Sequence, residues 1–137
     1  MRNTHIDRYD SLDRAVVAIG NDYPPGQLLP AHAHRRAQLL YGATGVMQVE
    51  TRDGNWVVPP QRAVWIPAGV THQVRMLEVS TRSAYIEPGA ARADRDACEV
   101  IEVSPLLRQL LLEAVDMPAA YEREGRDGAL AALLLHE

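Results

Sequence analysis

Two histidines one residue apart open the chemistry of this 137-residue chain. In the stretch GQLLPAHAHRRAQLLYGATG, residues 26 to 45, His32 and His34 are followed by Gln38, and His72 begins a later apolar run, HQVRML. His32, His34 and Gln38 share parity, so one unbroken extended strand turns all three to the same face. His72 shares a face with Val74 and Met76, which directs it into an interior. Imidazole nitrogens and an amide oxygen suit a divalent transition metal (zinc, nickel, iron or manganese), with one or two positions left for water or ligand. Protons compete for such a site as pH falls through about 6.5, where free imidazole titrates. A single histidine is more often a hydrogen-bonded structural residue, and His5 and His136 are read that way.

The segments around these residues read as short strands. RAVVAIG (14–20), AQLLYG (37–42), GVMQVETR (45–52), NWVVP (55–59), AVWIP (63–67), HQVRML (72–77), SAYIEP (83–88) and EVIEV (99–103) are apolar or β-branched runs parted by Gly, Pro, Asn and Asp, a spacing that predicts a sandwich or barrel. Asp53-Gly54 marks a tight hairpin, and prolines 24, 25, 30, 59, 60 and 67 fall at strand ends. After Val103 the period changes. Ser104 as N-cap and Pro105 at the first helical position start a helix over 105–117, with Leu106, Leu107, Leu110, Leu111 and Ala114 on one face and Leu112 off it. A second helix, ALAALLLHE, is capped by Asp127 and carries Leu130, Leu133 and Leu134 at helical spacing, with Leu135 beside them.

Composition limits the function. The net charge of −4 is spread evenly, and the 14 basic residues form no block of the kind that grips phosphates. No run of about 18 apolar residues occurs, and MRNTHIDRYDSLDR is too polar for a signal peptide, so a cytoplasmic location is the default and no membrane is expected. Cys98 stands alone, which rules out an intrachain disulfide.

The residues singled out above also carry a resemblance. Gly26, His32-Ala33-His34, Gln38 and Gly45 match the spacing of the first cupin motif, and Pro67-Ala68-Gly69 with His72 matches the core of the second. The resemblance covers roughly residues 12 to 88 and implies a mainly β fold, a cupin-type double-stranded β-helix (jelly-roll) barrel followed by two C-terminal α-helices. It also implies that His32, His34, Gln38 and His72 are the metal ligands. Gln38 stands where that family has Glu, which removes a negative charge from the site; Gln61 and Met76 stand where it has Gly and Asn. More narrowly, HAHRRAQLLYGATGVMQVET, VVPPQRAVWIPAGVTHQVRM and VIEVSPLLRQLLLEAV resemble the N-terminal effector-sensing domain of AraC-type bacterial transcriptional regulators. That resemblance divides the chain into a barrel sensor over 1–103 and a helical dimerisation segment over 104–137, with the DNA-binding helix-turn-helix part outside the chain.

Two functions follow. In the first, the barrel binds a small-molecule effector, with or without the metal, and the helices form a homodimer, Leu112 and Leu135 being the candidate contacts. Leu40, Val74, Met76, Trp65 and Tyr85 are the candidate pocket walls. The alternative is a metal-dependent cupin enzyme, a dioxygenase or isomerase. It lacks an acid or base, since no Asp or Glu lies in HAHRRAQLL or HQVRML, while Glu50, Glu78 and Glu87 flank strands and read as solvated. DNA is expected to be contacted only by the part outside this chain.

Overall fold

The computed structural model describes residues 2, 4–51, 54–90 and 97–136, the Glu78 side chain excepted. Among these, the strands are β1 (Val16–Tyr23), β2 (Leu28–His32), β3 (Ala37–Thr51), β4 (Gly54–Val58), β5 (Arg62–Ile66), β6 (His72–Ile86) and β7 (Glu99–Glu102), followed by helices α1 (Pro105–Ala114) and α2 (Arg126–His136). Every strand pairing is antiparallel, in the order β1-β6-β3-β5-β7, with β2 added to β6 and β4 to β3. Mainly β structure with two terminal helices agrees with the fold expected from the sequence.

Two long strands replace four of the expected short ones. AQLLYG and GVMQVETR are the two ends of β3, and HQVRML and SAYIEP are the two ends of β6. The β3–β6 register slips between Gly42 and Thr44 and again between Thr44 and Val46, where Gly45 has φ 77°. A one-residue slip exchanges the two faces of a strand. Accordingly Gln38 and Leu40 are buried before the bend, and Met47 and Val49 after it. β2 was not anticipated, and Pro30 lies inside it rather than at its end; only β6 pairs with this short strand, and its register is irregular. A missing N–H is tolerated on such an edge. The hairpin between β3 and β4 closes at Thr51 opposite Gly54, with Gly54 at φ 149° and Asp53 outside the described residues.

The sheet is covered unequally. Val16 to Gly20, Ala37 to Gly42 and Ala63 to Ile66 are buried at every position, because one face meets the barrel interior and the other meets the helices. In the helix-side cluster, Val16, Ala18, Leu39, Tyr41, Ala84 and Ile86 pack against Leu107, Leu110, Leu111, Leu130 and Leu134. Trp65 belongs to this cluster too. That corrects its assignment to the pocket wall: on β5 its side chain points away from the barrel interior, toward the helices.

Ser104 accepts a hydrogen bond from the Leu107 N–H at 3.0 Å, as its cap role predicts. α1 stops at Ala114, three positions before the expected end, and its last turn loosens through Asp116 N–H to Glu113 O and Met117 N–H to Ala114 O. α2 begins at Arg126, so Asp127 lies in its first turn and is not the cap. Gly128 lets that turn close on the Arg123 carbonyl, where a Cβ would sit 1.9 Å from the oxygen. Leu106 and Leu133, expected on the buried faces, are instead exposed. Leu112 is half-buried, and Leu135 packs against the helix-side cluster.

Candidate metal and effector site

The histidines do not share one strand. His32 ends β2, His34 lies in the following loop, and Gln38 is the second residue of β3. They converge for other reasons. His32 pairs with His72 across β2 and β6. The Gly69 N–H donates to the His34 carbonyl at 2.7 Å, tying the His34 loop to the turn that precedes His72. Pro67, Gly69 at φ 78° and the Val70 N–H to Pro67 O bond form that turn, whose third position needs positive φ.

The three rings stand 4.7 Å (His32 to His34), 4.3 Å (His32 to His72) and 5.2 Å (His34 to His72) apart between centroids. One ligand atom from each lies within 4.8 Å of the others. Nδ1 of His32 is 2.6 Å from the Pro30 carbonyl and Nδ1 of His72 is 3.0 Å from the Val70 carbonyl. A carbonyl only accepts, so each Nδ1 carries a proton, and in the neutral ring Nε2 is then the nitrogen with the lone pair. That is the tautomer a metal ligand needs.

His34 Nε2 and Gln38 Oε1 are buried without a hydrogen-bond partner. The Gln38 amide is oriented from its other end: Nε2 donates to Ser83 Oγ at 3.1 Å and to the Tyr85 hydroxyl at 3.2 Å. Burial, reinforced by His32 and His72, lowers the His34 pKa to about 4. Burial also lowers that of His72. Both are therefore neutral at pH 7. An orphaned buried His34 Nε2 in a cluster of three imidazoles fits a divalent transition ion, for which His32, His34 and His72 would be ligands; Gln38 Oε1, orphaned on the wall of the same cavity, would be the fourth donor.

The trio opens on a cavity of about 900 Å³. Leu40, Val74, Met76 and Tyr85 line it along with Gln38, and Trp65 does not. Burial raises the Tyr85 pKa well above the usual phenol value. Sequence reasoning missed three contributors. Ser83 shares parity with Tyr85 and was legible on that ground. Tyr23 ends β1 facing the same space. Thr4 to Tyr9 also line the cavity through Thr4, His5, Ile6, Arg8 and Tyr9, in a polar segment whose sequence has no period to reveal it. There His5 caps a short helical turn, accepting from the Asp7 N–H at 3.3 Å.

This N-terminal segment is pinned by a second unanticipated group. Arg36, 1% exposed, donates to the carbonyls of Asp10, Leu12 and Arg14 and pairs with Asp10 and Glu87. Arg35 bridges the same two carboxylates. Glu87 is thus a structural anchor rather than a solvated flank, its pKa lowered by Arg35. Glu50 is exposed and accepts from Gln73, as a solvated residue can.

Residues 15–136 match the family described as AraC-like ligand binding domain. Over 109 residues the chain is 32% identical to the HTH-type transcriptional regulator NimR of Escherichia coli K12, a match covering 79% of this chain and 40% of that protein. The chain therefore spans well under half of this relative's length. Unsaturated-fatty-acid-bound ToxT of Vibrio cholerae superposes with a TM-score of 0.65 at 8% identity, over 90% of this chain and 53% of that one. An RmlC-like cupin from Shewanella frigidimarina superposes at 0.50 with 22% identity, over 61% and 73%. At these identities the structural matches establish the fold alone.

Proposed function

Since the chain belongs to the AraC-like ligand binding domain family, we propose that its barrel cavity is the effector site of a bacterial AraC-type transcriptional regulator. The observation that carries this is the cavity of about 900 Å³ ending on three converging histidines. A space of that size takes a small organic molecule, and its mixed lining, apolar on Leu40, Val74 and Met76 and polar on the histidines, Gln38 and Ser83, can both bury and orient one.

His32, His34 and His72, with Gln38, hold a divalent transition metal in this reading. When bound, the ion supplies positive charge and Lewis acidity at the cavity floor. The barrel over 1–103 senses, and the helices over 104–137 carry the response and pair two copies. Leu106 and Leu133, the exposed leucines of the helices, join half-buried Leu112 as the contacts of that homodimer. DNA is contacted by a part of the regulator outside this chain, which places the protein in the cytoplasm. Among the described residues no helix is long and apolar enough to cross a membrane. Binding is the role of this family, and among the described residues the histidine cluster includes no Asp or Glu to act as the acid or base of a cupin dioxygenase or isomerase.

The test uses the regulator that contains this chain. A small molecule should change its occupancy of a specific DNA site, and Leu40→Arg, which fills the cavity, should abolish that response while DNA binding survives. Unchanged regulation by every effector in the Leu40→Arg protein, or turnover of a substrate that requires His32 and His72, would overturn the reading.

A further inference from the structure

The donor set around the trio is electrically neutral. Among the described residues, the ligand atoms within 4.8 Å of one another come from three imidazoles and no carboxylate. A fourth polar group on the wall of the same cavity is an amide, held by Ser83 and Tyr85 so that its oxygen is left unpartnered. Asp22 is the one carboxylate among the cavity's lining residues, and its Oδ1 already accepts from the Ser80 hydroxyl. Arg8, by contrast, lines the same cavity with no ion-pair partner among the described residues. A divalent ion held here would keep most of its charge, offset only by Asp7 acting on His34 from outside the donor set, in a partly desolvated space where charge acts more strongly than in water.

We propose that the effector is an organic anion, a carboxylate or similar oxyanion on a compact apolar body, and that Gln38 determines this specificity. This rests on the reading of His32, His34 and His72 as a metal centre. By presenting an amide, Gln38 leaves the ion's charge for the ligand to compensate. Arg8 adds attraction at the cavity mouth, and Leu29, Leu40, Val74 and Met76 receive the apolar body. Gln38→Glu places a carboxylate in the site itself. It strengthens the hold on the ion and removes the reason to bind an anion.

Cobalt(II)-loaded protein titrated with acetate, with acetamide as its neutral counterpart, tests this through the visible spectrum, cobalt content being measured in every sample. In the unsubstituted chain, acetate changes the spectrum saturably and acetamide does not. Gln38→Glu retains cobalt yet needs about tenfold more acetate, the weakening expected when a like charge stands beside the site. Arg8→Ala needs roughly threefold more, a difference that closes as ionic strength rises because Arg8 is exposed. Equal acetate responses in the unsubstituted and Gln38→Glu proteins at equal cobalt content overturn the proposal and leave the metal centre standing. So does an acetamide response matching that of acetate. If the unsubstituted chain holds no cobalt, the metal centre fails and the proposal falls with it.

Discussion

The two ends of β3 and β6 belong to different environments. Where β3 runs from Ala37 to Gly42 and β6 from Val79 to Ile86, the sheet lies between the barrel interior and the helices, and Leu39, Tyr41 and Ala84 are as buried as their inward neighbours Leu40 and Tyr85. Where β3 runs from Met47 to Thr51 and β6 from His72 to Leu77, one face is solvated. There Met47, Val49, Val74 and Met76 are buried while Gln48, Glu50, Arg75 and Leu77 are exposed. The first region has two buried faces, the helix-facing one apolar and the inward one carrying Gln38, Thr81 and Ser83, and it supplies much of the core. The second has one; His72 opens its length of β6 opposite Thr51 and pairs with His32 at the end of β2, where the register is irregular, and His34 reaches them from the loop before β3. The helix-facing side of the covered region thus supplies packing, while the barrel-facing side of both regions lines the site.

That division is tested most severely by truncation in the covered region. Leu111, fully buried between α1 and the sheet, should cost about 2–5 kcal/mol as Leu111→Ala. The midpoint of thermal unfolding should drop sharply, while the shift produced by added zinc stays as large as before. His34→Ala should do the reverse, removing the zinc-dependent shift at little cost to the metal-free protein, since the His34 Nε2 is already without a partner. A zinc response lost in Leu111→Ala would show that the two regions are not independent.

Acid should act chiefly through the histidine cluster. The His34 pKa is about 4 when folded, below the 6.5 of free imidazole, so the unfolded chain binds the proton more readily. Its contribution to stability is then complete above about pH 6.5 and is lost as pH falls toward 4. Proton competition with metal at His34 is displaced downward by the same amount, below the range expected for free imidazole. Denaturation titrations between pH 7 and pH 4 should show this loss in the unsubstituted chain and much less of it in His34→Ala. Equal slopes for the two would remove His34 as the cause.

Smaller effects sharpen the contrast. The turn from Pro59 to Arg62 is closed by the Arg62 N–H to Pro59 O bond, with Gln61 at φ 69°. A side chain in that conformation costs roughly 1 kcal/mol, so Gln61→Gly should raise stability by about that amount, and a loss would show that the Gln61 side chain has a compensating contact. Val57, 64% exposed on β4, should tolerate Val57→Thr within about 0.5 kcal/mol, measured by the same denaturation.

The same division explains what the sequence could reveal. Alternation in GVMQVETR and HQVRML reports a half-buried strand, and the unbroken apolar runs of RAVVAIG and AVWIP report burial on both sides. Parity with the histidines assigned Leu40, Val74 and Met76 to the cavity; Tyr85, of opposite parity to His72 and offered only as an aromatic wall, reaches it because the β3–β6 register slips between the two. Trp65 misled because an aromatic residue on a strand buried on both faces suits either face equally. His32 and His34 were legible by type and spacing, though the geometry behind them was not: a loop and a turn bring His34 to His72, not a shared strand. The Arg35–Arg36–Asp10–Glu87 anchor was illegible, since charged residues far apart in sequence carry no sign of their pairing. The exposed Leu106 and Leu133 were misplaced because helical periodicity fixes a stripe's spacing and leaves its edges free.

The most direct test of the claim that the histidine trio is a metal centre is the metal content of protein purified without an affinity tag, by elemental analysis at pH 7. The account predicts close to one transition-metal ion per chain, absent from His34→Ala protein prepared alongside. A metal-free protein whose thermal midpoint is unmoved by added zinc or nickel would contradict it.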